Sequence, residues 1–278
     1  MYNPKAEDLD NLLRLASVYP GVIVDNSVSP AFDNAQVGLM NYLHNGKNLG
    51  IAEAQNIALN LLLQKASCDY VVFLDQDSRV SISYPADIVA EFKRIARSGL
   101  KLGIVGPTLH NRHIDRRYRS VLHKEIVNED SYIEKREIIS SGSCTVPKVL
   151  KEVGLNDAAL FIDYVDFEWC WKAASHGYSC VVTPHVVMEH SVGQRTLTIG
   201  GHLIIVSSPI RYFYQLRNYL WLARRSYVPL SWKINIGAKS FLQWLYFPFL
   251  VKGGVTCWKY MTKGIITGLI SKSKSYGQ

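Results

Sequence analysis

The chain has 278 residues, 48% of them hydrophobic and 19% charged, which is enough for one large buried core with a smaller appendage and excludes a wholly disordered protein. The formal net charge of +8 is unevenly spread: twelve Lys and Arg but no Asp or Glu follow Glu189, so the first 189 residues carry −4. Five cysteines without a C-x-x-C pair read as reduced core thiols, and no basic stretch followed by an apolar one opens the chain, so a cytoplasmic protein without a secretory signal is expected.

After MYNP, Leu9, Leu12, Leu13 and Ala16 fall on one face and predict a helix. GVIVDNS, residues 21–27, is a short apolar strand ending in Asp25 and Asn26. A further strand around Tyr42 and Leu43 runs into an Asn- and Gly-rich turn. The long helix that follows is predicted to turn Ile51, Ala54, Ile57, Ala58, Leu61 and Leu62 inward. VVFLDQDS, residues 71–78, reads as a buried strand that delivers Asp75 and Asp77 to its carboxyl-terminal end, where open α/β sheets bind ligands. Two carboxylates one residue apart suit a shared Mg²⁺ or Mn²⁺, which can bridge the phosphates of a nucleotide; a solvated turn is the plain alternative.

A helix over 84–98, with Pro85 near its start, should bury Ile88, Val89, Phe92 and Ile95, and KLGIVGP supplies the next strand. This alternation predicts a mainly parallel sheet with right-handed crossovers. Residues 109–137, with Arg112, Arg116, Arg117 and Arg119, read as an excursion over the sheet. Order returns with a strand through Ile138 and Ile139, the small residues Ser141, Gly142 and Ser143, and a short helix opened by Pro147. Asp163, Asp166 and Glu168 then gather at the front of a helix that ends near Gly177. Carboxylates cap helix starts, but beside Phe161, Tyr164, Phe167, Trp169 and Trp171 one of them could also serve as a general base in a cleft. A strand over 178–183 and a segment ending at His190 follow. Beyond Ser208 come aromatic and basic helical stretches. Their longest apolar run, residues 241–251, is shorter than the ~20 residues a membrane-spanning helix needs. Such helices fit a bilayer interface, or pack as a hairpin with a solvated basic face. No nucleic-acid partner is expected, since the basic stretch carries no recognised binding motif.

YNP, VDNS, NLGIAEAQN, FLDQDS, SSGS, FIDYVDFEWCWKA, HSVG and YFYQLRN, in this order over residues 2–218, resemble the inverting glycosyltransferases of the GT-A fold, and among them bacterial rhamnosyltransferases. The resemblance implies an α/β Rossmann-like catalytic domain over 1–208 and a basic, membrane-associating helical region over 209–278. It implies that Tyr2, Asn3 and Asp25 hold the nucleobase side of a nucleotide-sugar donor, and that Asn48, Gly50 and Asn56 line the nucleotide pocket. Asp75 and Asp77 match the D-x-D pair, Asp77 meeting a Mg²⁺ or Mn²⁺ ion whose shell His190 completes. Asp166 matches the catalytic base and Glu168 a second acid, while Ser141, Gly142, Ser143 and Trp169 would face the sugar or acceptor. A dTDP-L-rhamnose donor, a lipid-linked or polysaccharide acceptor and a place on the anionic inner face of the cell membrane follow as expectations. A UDP-sugar-specific transferase and an inactive scaffold of the same fold are the alternatives. Two departures stand out: the strand that usually precedes YNP is missing, and VDNS continues into Val28 where relatives often have Gly or Ser earlier in the turn.

Overall fold

The structure, a computed structural model, describes residues 1–65, 67–111, 126–127, 132–190, 195–199 and 202–271, of which 111, 126–127, 190, 195–199 and 202–205 are described by their backbone alone. Helix α1 (Ala6–Ala16) precedes strand β1 (Gly21–Asp25), the short β2 (Gln36–Val37) and β3 (Met40–His44). Helix α2 (Gly50–Gln64), strand β4 (Val71–Val72), helix α3 (Tyr84–Ala96) and strand β5 (Leu102–Asn111) follow. Then come β6 (Ile126–Val127), β7 (Ile133–Lys135), β8 (Cys144–Thr145), α4 (Pro147–Val153), α5 (Val165–Ser175) and the long β9 (Ser179–His190). A hairpin of β10 (Arg195–Ile199) and β11 (His202–Val206) leads to three helices, α6 (Pro209–Ala223), α7 (Leu230–Leu250) and α8 (Gly254–Ile270).

The expected mainly parallel sheet is a mixed one. In the six-stranded sheet, ordered β4-β8-β5-β9-β7-β6, β5 and β9 are the one neighbouring pair described that is hydrogen-bonded in parallel; β8 lies antiparallel to both β4 and β5, and β7 to β9 and β6, so β4, β5, β9 and β6 share one direction. A separate three-stranded sheet, β1-β3-β2, pairs β1 and β3 in parallel. The expected strand through Ile138 and Ile139 is instead an irregular segment, and the strand forms six residues later at Cys144. The backbone of Met1 lies along the end of β1: its ammonium donates to Val24 O, and its carbonyl accepts the N–H of Asn26.

Helix α3 keeps the predicted face, with Ile88, Phe92 and Ile95 buried against Val105, Cys144 and Val181 of the sheet. In α1 the inward face is Leu15 and Ala16, and Leu13 is exposed. In α2 the buried residues are Gly50, Ala52, Ala54, Asn56 and Leu59; Ile51, Ile57, Ala58, Leu61 and Leu62 are only partly covered, and α2 packs against β1 and the 158–160 turn. The boundary expected at Ser208 does not coincide with a gap in packing. Trp221 and Leu222 of α6 and Trp232 of α7 share one cluster with Ala52, Val165 and Trp171. The basic clump at Arg112, Arg116, Arg117 and Arg119 lies outside the described residues. Among the described residues no helix is long and apolar enough to cross a membrane.

Candidate active site

The site is built where α5 starts. Before it the backbone turns through an unusual run: Phe161, Asp163 and Tyr164 all have positive φ, at 65°, 65° and 64°. Phe161 also has ψ −63°, and the N–H of Ile162 donates to Leu160 O at 2.7 Å, a γ-turn of the strained kind. Non-glycine residues held this way cost on the order of 1 kcal/mol or more each, so the surroundings must hold them. Tyr164 then caps α5, and Asp166 sits in its first turn.

The Asp166 carboxylate accepts the N–H of Phe167 at 3.0 Å. Its pKa is pushed up to about 6: loss of solvent around the carboxyl dominates, the backbone N–H groups of Phe167 and Ser140 work against it, and the charge of Asp75 adds to it. Asp166 lines a small cavity with Gln55, Phe73, Ile138, Ser140 and Trp169. A carboxylate poised near neutrality in a cleft has the proton affinity a general base needs.

Asp75 opens a tight turn at the end of the β4 segment. The N–H of Ser78 donates to Asp75 O at 3.0 Å, and the N–H of Asp75 donates to Ser78 Oγ at 3.0 Å. Ser78 Oγ is hydrogen-bonded to Ser141 Oγ at 2.8 Å, so the SSGS segment supports this turn from beneath. Asp77, at the turn's crest, is exposed. The end of β9 comes alongside, since Glu189 forms a β-bridge with Arg79, two residues beyond Asp77. That puts the backbone of His190 beside the turn; its side chain lies outside the described residues. Among the described residues no three His, Cys, Asp or Glu side chains cluster closely enough to hold a metal ion. The two turn aspartates are the hard-oxygen donors a Mg²⁺ or Mn²⁺ ion would meet.

The other expected site residues divide into two groups. Tyr2 and Asn3 lie beside the 75–78 turn and the residues after β1: the N–H of Tyr2 donates to Gln76 Oε1 at 2.6 Å and that of Asn3 to Ser27 Oγ at 2.7 Å, with Tyr2 exposed. Trp169 lines the cavity with Asp166 and donates its indole N–H to Gly154 O at 2.9 Å. The rest are committed internally. Asp25 is fully buried and accepts from Ser27 N, Ala31 N and the Tyr42 hydroxyl; burial disfavours its charge, but these bonds outweigh that and hold its pKa below the ordinary value. Asn48 Oδ1 accepts the N–H of Gly50, and Asn56 makes two bonds to the backbone of Asn156, at 2.9 and 3.0 Å. Gly50 has φ +82°, and a Cβ there would lie 2.5 Å from Phe161 O. Its lack of a side chain lets the start of α2 pack on Phe161.

Ser141, Gly142 and Ser143 are buried; Gly142 N–H donates to Phe73 O at 2.7 Å, and the Ser143 hydroxyl to Ser140 O at 2.6 Å. Glu168 points away from the cavity into an ion-pair network, where Arg225 bridges it to Asp157 and the Tyr227 hydroxyl donates to its Oε1. Beside Asp166 stands Ser140, the first residue of SSGS and one position before the expected site triplet, whose hydroxyl accepts from Gln55 at 3.2 Å. Nothing in its spelling separates it from Ser141.

The family model "Glycosyl transferase family 2" matches residues 21–151, which include the 75–78 turn. The dTDP-rhamnosyl transferase RfbF of Shigella flexneri is 32% identical over 249 residues, covering 84% of this chain and 81% of that protein. The chain belongs to glycosyl transferase family 2. It is a glycosyltransferase, with the α/β architecture and mixed sheets described above. Among solved structures, S. aureus TarS residues 1–349 in complex with UDP-GlcNAc is 14% identical with a TM-score of 0.48, covering 94% of this chain and 77% of that one. GalNAc-T7 with UDP, GalNAc and Mn²⁺ is 16% identical with a TM-score of 0.45, covering 78% of this chain and 47% of that one, so the glycosyltransferase spans about half its length.

Proposed function

We propose that this glycosyltransferase moves L-rhamnose from dTDP-L-rhamnose to a hydroxyl of a lipid-linked or polysaccharide acceptor in one inverting displacement. The choice of donor rests on the name of the Shigella relative and on the FLDQDS and FIDYVDFEW spellings. The observation that carries the mechanism is the Asp166 carboxyl, raised to about 6 in a cavity and sensing the charge of Asp75. Asp166 takes the proton of the acceptor hydroxyl as that oxygen forms its bond to the anomeric carbon. The bond to the diphosphate breaks on the opposite face, and the electron pair leaves with dTDP. Asp75 and Asp77, joined by His190, would hold a divalent cation, which when bound offsets charge on the departing diphosphate. Tyr2 and Asn3 flank the nucleobase side. Asp25 acts there through the shape of the loop it organises.

The acceptor class agrees with the carboxyl-terminal helices. Along α7, Ile234, Ala238, Phe241, Leu242, Leu245 and Phe249 form one exposed apolar stripe, with Phe249 85% exposed. Lys239, Lys252, Lys259 and Lys263 lie on α7 and α8 and in their connection, without a single acid. Apolar residues at the crest with cations around them suit an anionic bilayer interface, and each cation adds about 1 kcal/mol near such a surface. This reading places the enzyme at the inner face of the membrane. A comparison of dTDP release from dTDP-rhamnose and UDP release from UDP-sugars, with and without Mn²⁺, tests the proposal. Faster metal-dependent release from dTDP-rhamnose is expected, and preference for a UDP-sugar would remove the rhamnose assignment while leaving the transferase.

A further inference from the structure

Helix α6 takes no part in the chemistry above, yet one face of it closes on the strained run before α5. Asn218, fully buried, directs its amide N–H groups at three carbonyls, Leu160 O at 2.9 Å, Ile162 O at 2.8 Å and Asp163 O at 3.1 Å. Arg217 donates to Asn218 Oδ1, which fixes the way that amide faces, and also to Ala159 O at 2.7 Å and Leu160 O at 3.0 Å. Arg211 forms an ion pair with the Asp163 carboxylate. The Tyr214 ring stacks on Phe161, centroids 4.6 Å apart and planes 10° from parallel. Positions 211, 214 and 218 follow helical spacing, so a single face supplies these contacts. From the other side, Phe161 O accepts the N–H of Ile51 at 2.8 Å, which ties the same run to the start of α2.

We propose that Arg211, Arg217 and Asn218 are positioning residues for Asp166. They hold residues 161–164 in a conformation those side chains do not adopt unaided, and so fix where α5 begins and where its first turn aims the Asp166 carboxylate. The carbonyls of Leu160, Ile162 and Asp163, buried or partly buried, have in Asn218 a donor that reaches all of them; without it the γ-turn relaxes and the carboxylate moves. A displacement of about 1 Å in a reacting group is enough to cost roughly a hundredfold in rate. This inference rests on the reading of Asp166 as the base.

The test compares Asn218→Ala, Arg211→Ala and Arg211→Lys with the wild-type enzyme and with Asp166→Asn, using dTDP-rhamnose turnover and its pH profile. Asn218→Ala and Arg211→Ala are expected to lower kcat about ten- to a hundredfold with the donor KM within about twofold. The acid limb of the profile should move below its wild-type position as water reaches the carboxyl. Arg211→Lys, which keeps a cation opposite Asp163, should recover part of the loss. In an Asp166→Asn background, Arg211→Ala should add nothing further. If folded Arg211→Ala and Asn218→Ala, judged by circular dichroism, keep wild-type kcat and an unmoved acid limb while Asp166→Asn is inactive, the positioning role is wrong and the base stands. If Asp166→Asn itself turns over normally, the reading beneath the proposal fails. Should Asn218→Ala not fold, the two Arg211 variants, at a partly exposed side chain, decide alone: partial recovery by Lys together with a moved limb supports the proposal, and an unmoved limb overturns it.

Discussion

In the proposed mechanism Asp166 is the base, and its pKa gives a direct expectation. Because burial raises it to about 6, with backbone donors of Phe167 and Ser140 opposing and Asp75 reinforcing, the basic form is scarce at pH 5 and nearly complete above pH 7. The kcat profile should therefore rise through pH 6 on its acid side, measured as dTDP release under saturating donor. The same shift means the folded state binds this proton more tightly than the unfolded chain, so this group's contribution to stability falls as pH rises from about 4 through 6. Glu168, two residues on, is sealed beside Arg225 and Tyr227. Glu168→Ala leaves Arg225 with one carboxylate partner in a buried place, a change expected to cost about 3 kcal/mol or more and to lower the melting temperature. The donor KM of the protein that remains folded should hardly move; a large rise in KM with unchanged melting would return Glu168 to the sugar. Sequence alone placed both acids together because their spacing is local. Their opposite surroundings come from Ser140 and Arg225, which lie far away along the chain.

Among the elements, those whose signal is local were legible. Helix α3 shows its start in Pro85 and its inward face in Ile88, Phe92 and Ile95, and α5 shows its end in Gly177, with φ +78°. What the sequence hides is the direction of strand pairing. β8 is two residues long and inserts antiparallel between β4 and β5, a choice made by the hydrogen bonds of Phe73 with Ser143 and Gly142 rather than by any alternation in its own spelling. The grip of α6 on residues 161–164 was hidden for a similar reason, since Asn218 bonds to carbonyls, which every residue carries. Gly50 gives an element-scale prediction. Gly50→Ala combines φ +82° with a 2.5 Å approach to Phe161 O, so a loss of roughly 2 kcal/mol or more in denaturant unfolding is expected, accompanied by weaker transfer as the start of α2 shifts. Unfolding at the wild-type midpoint would show that α2 tolerates a side chain there.

At the scale of the whole molecule, charge and apolar surface are both gathered at the carboxyl-terminal side. Helices α6 and α7 share a core with α2 and α5, so a bilayer docked on the stripe of α7 would orient the cleft relative to the membrane rather than tether it loosely. Replacing Leu245 and Phe249 with Ser should reduce partitioning onto vesicles containing anionic lipid several-fold, with donor hydrolysis in solution unchanged. Equal partitioning of variant and wild type would remove the stripe from membrane contact. The central claim, however, is that one carboxylate on α5 acts on a sugar held at the 75–78 turn. The most direct measurement is single-turnover transfer from dTDP-rhamnose by Asp166→Asn, with donor affinity measured in parallel. The account predicts donor binding within a few-fold of wild type and transfer lowered by at least a hundredfold; transfer near the wild-type rate would contradict it.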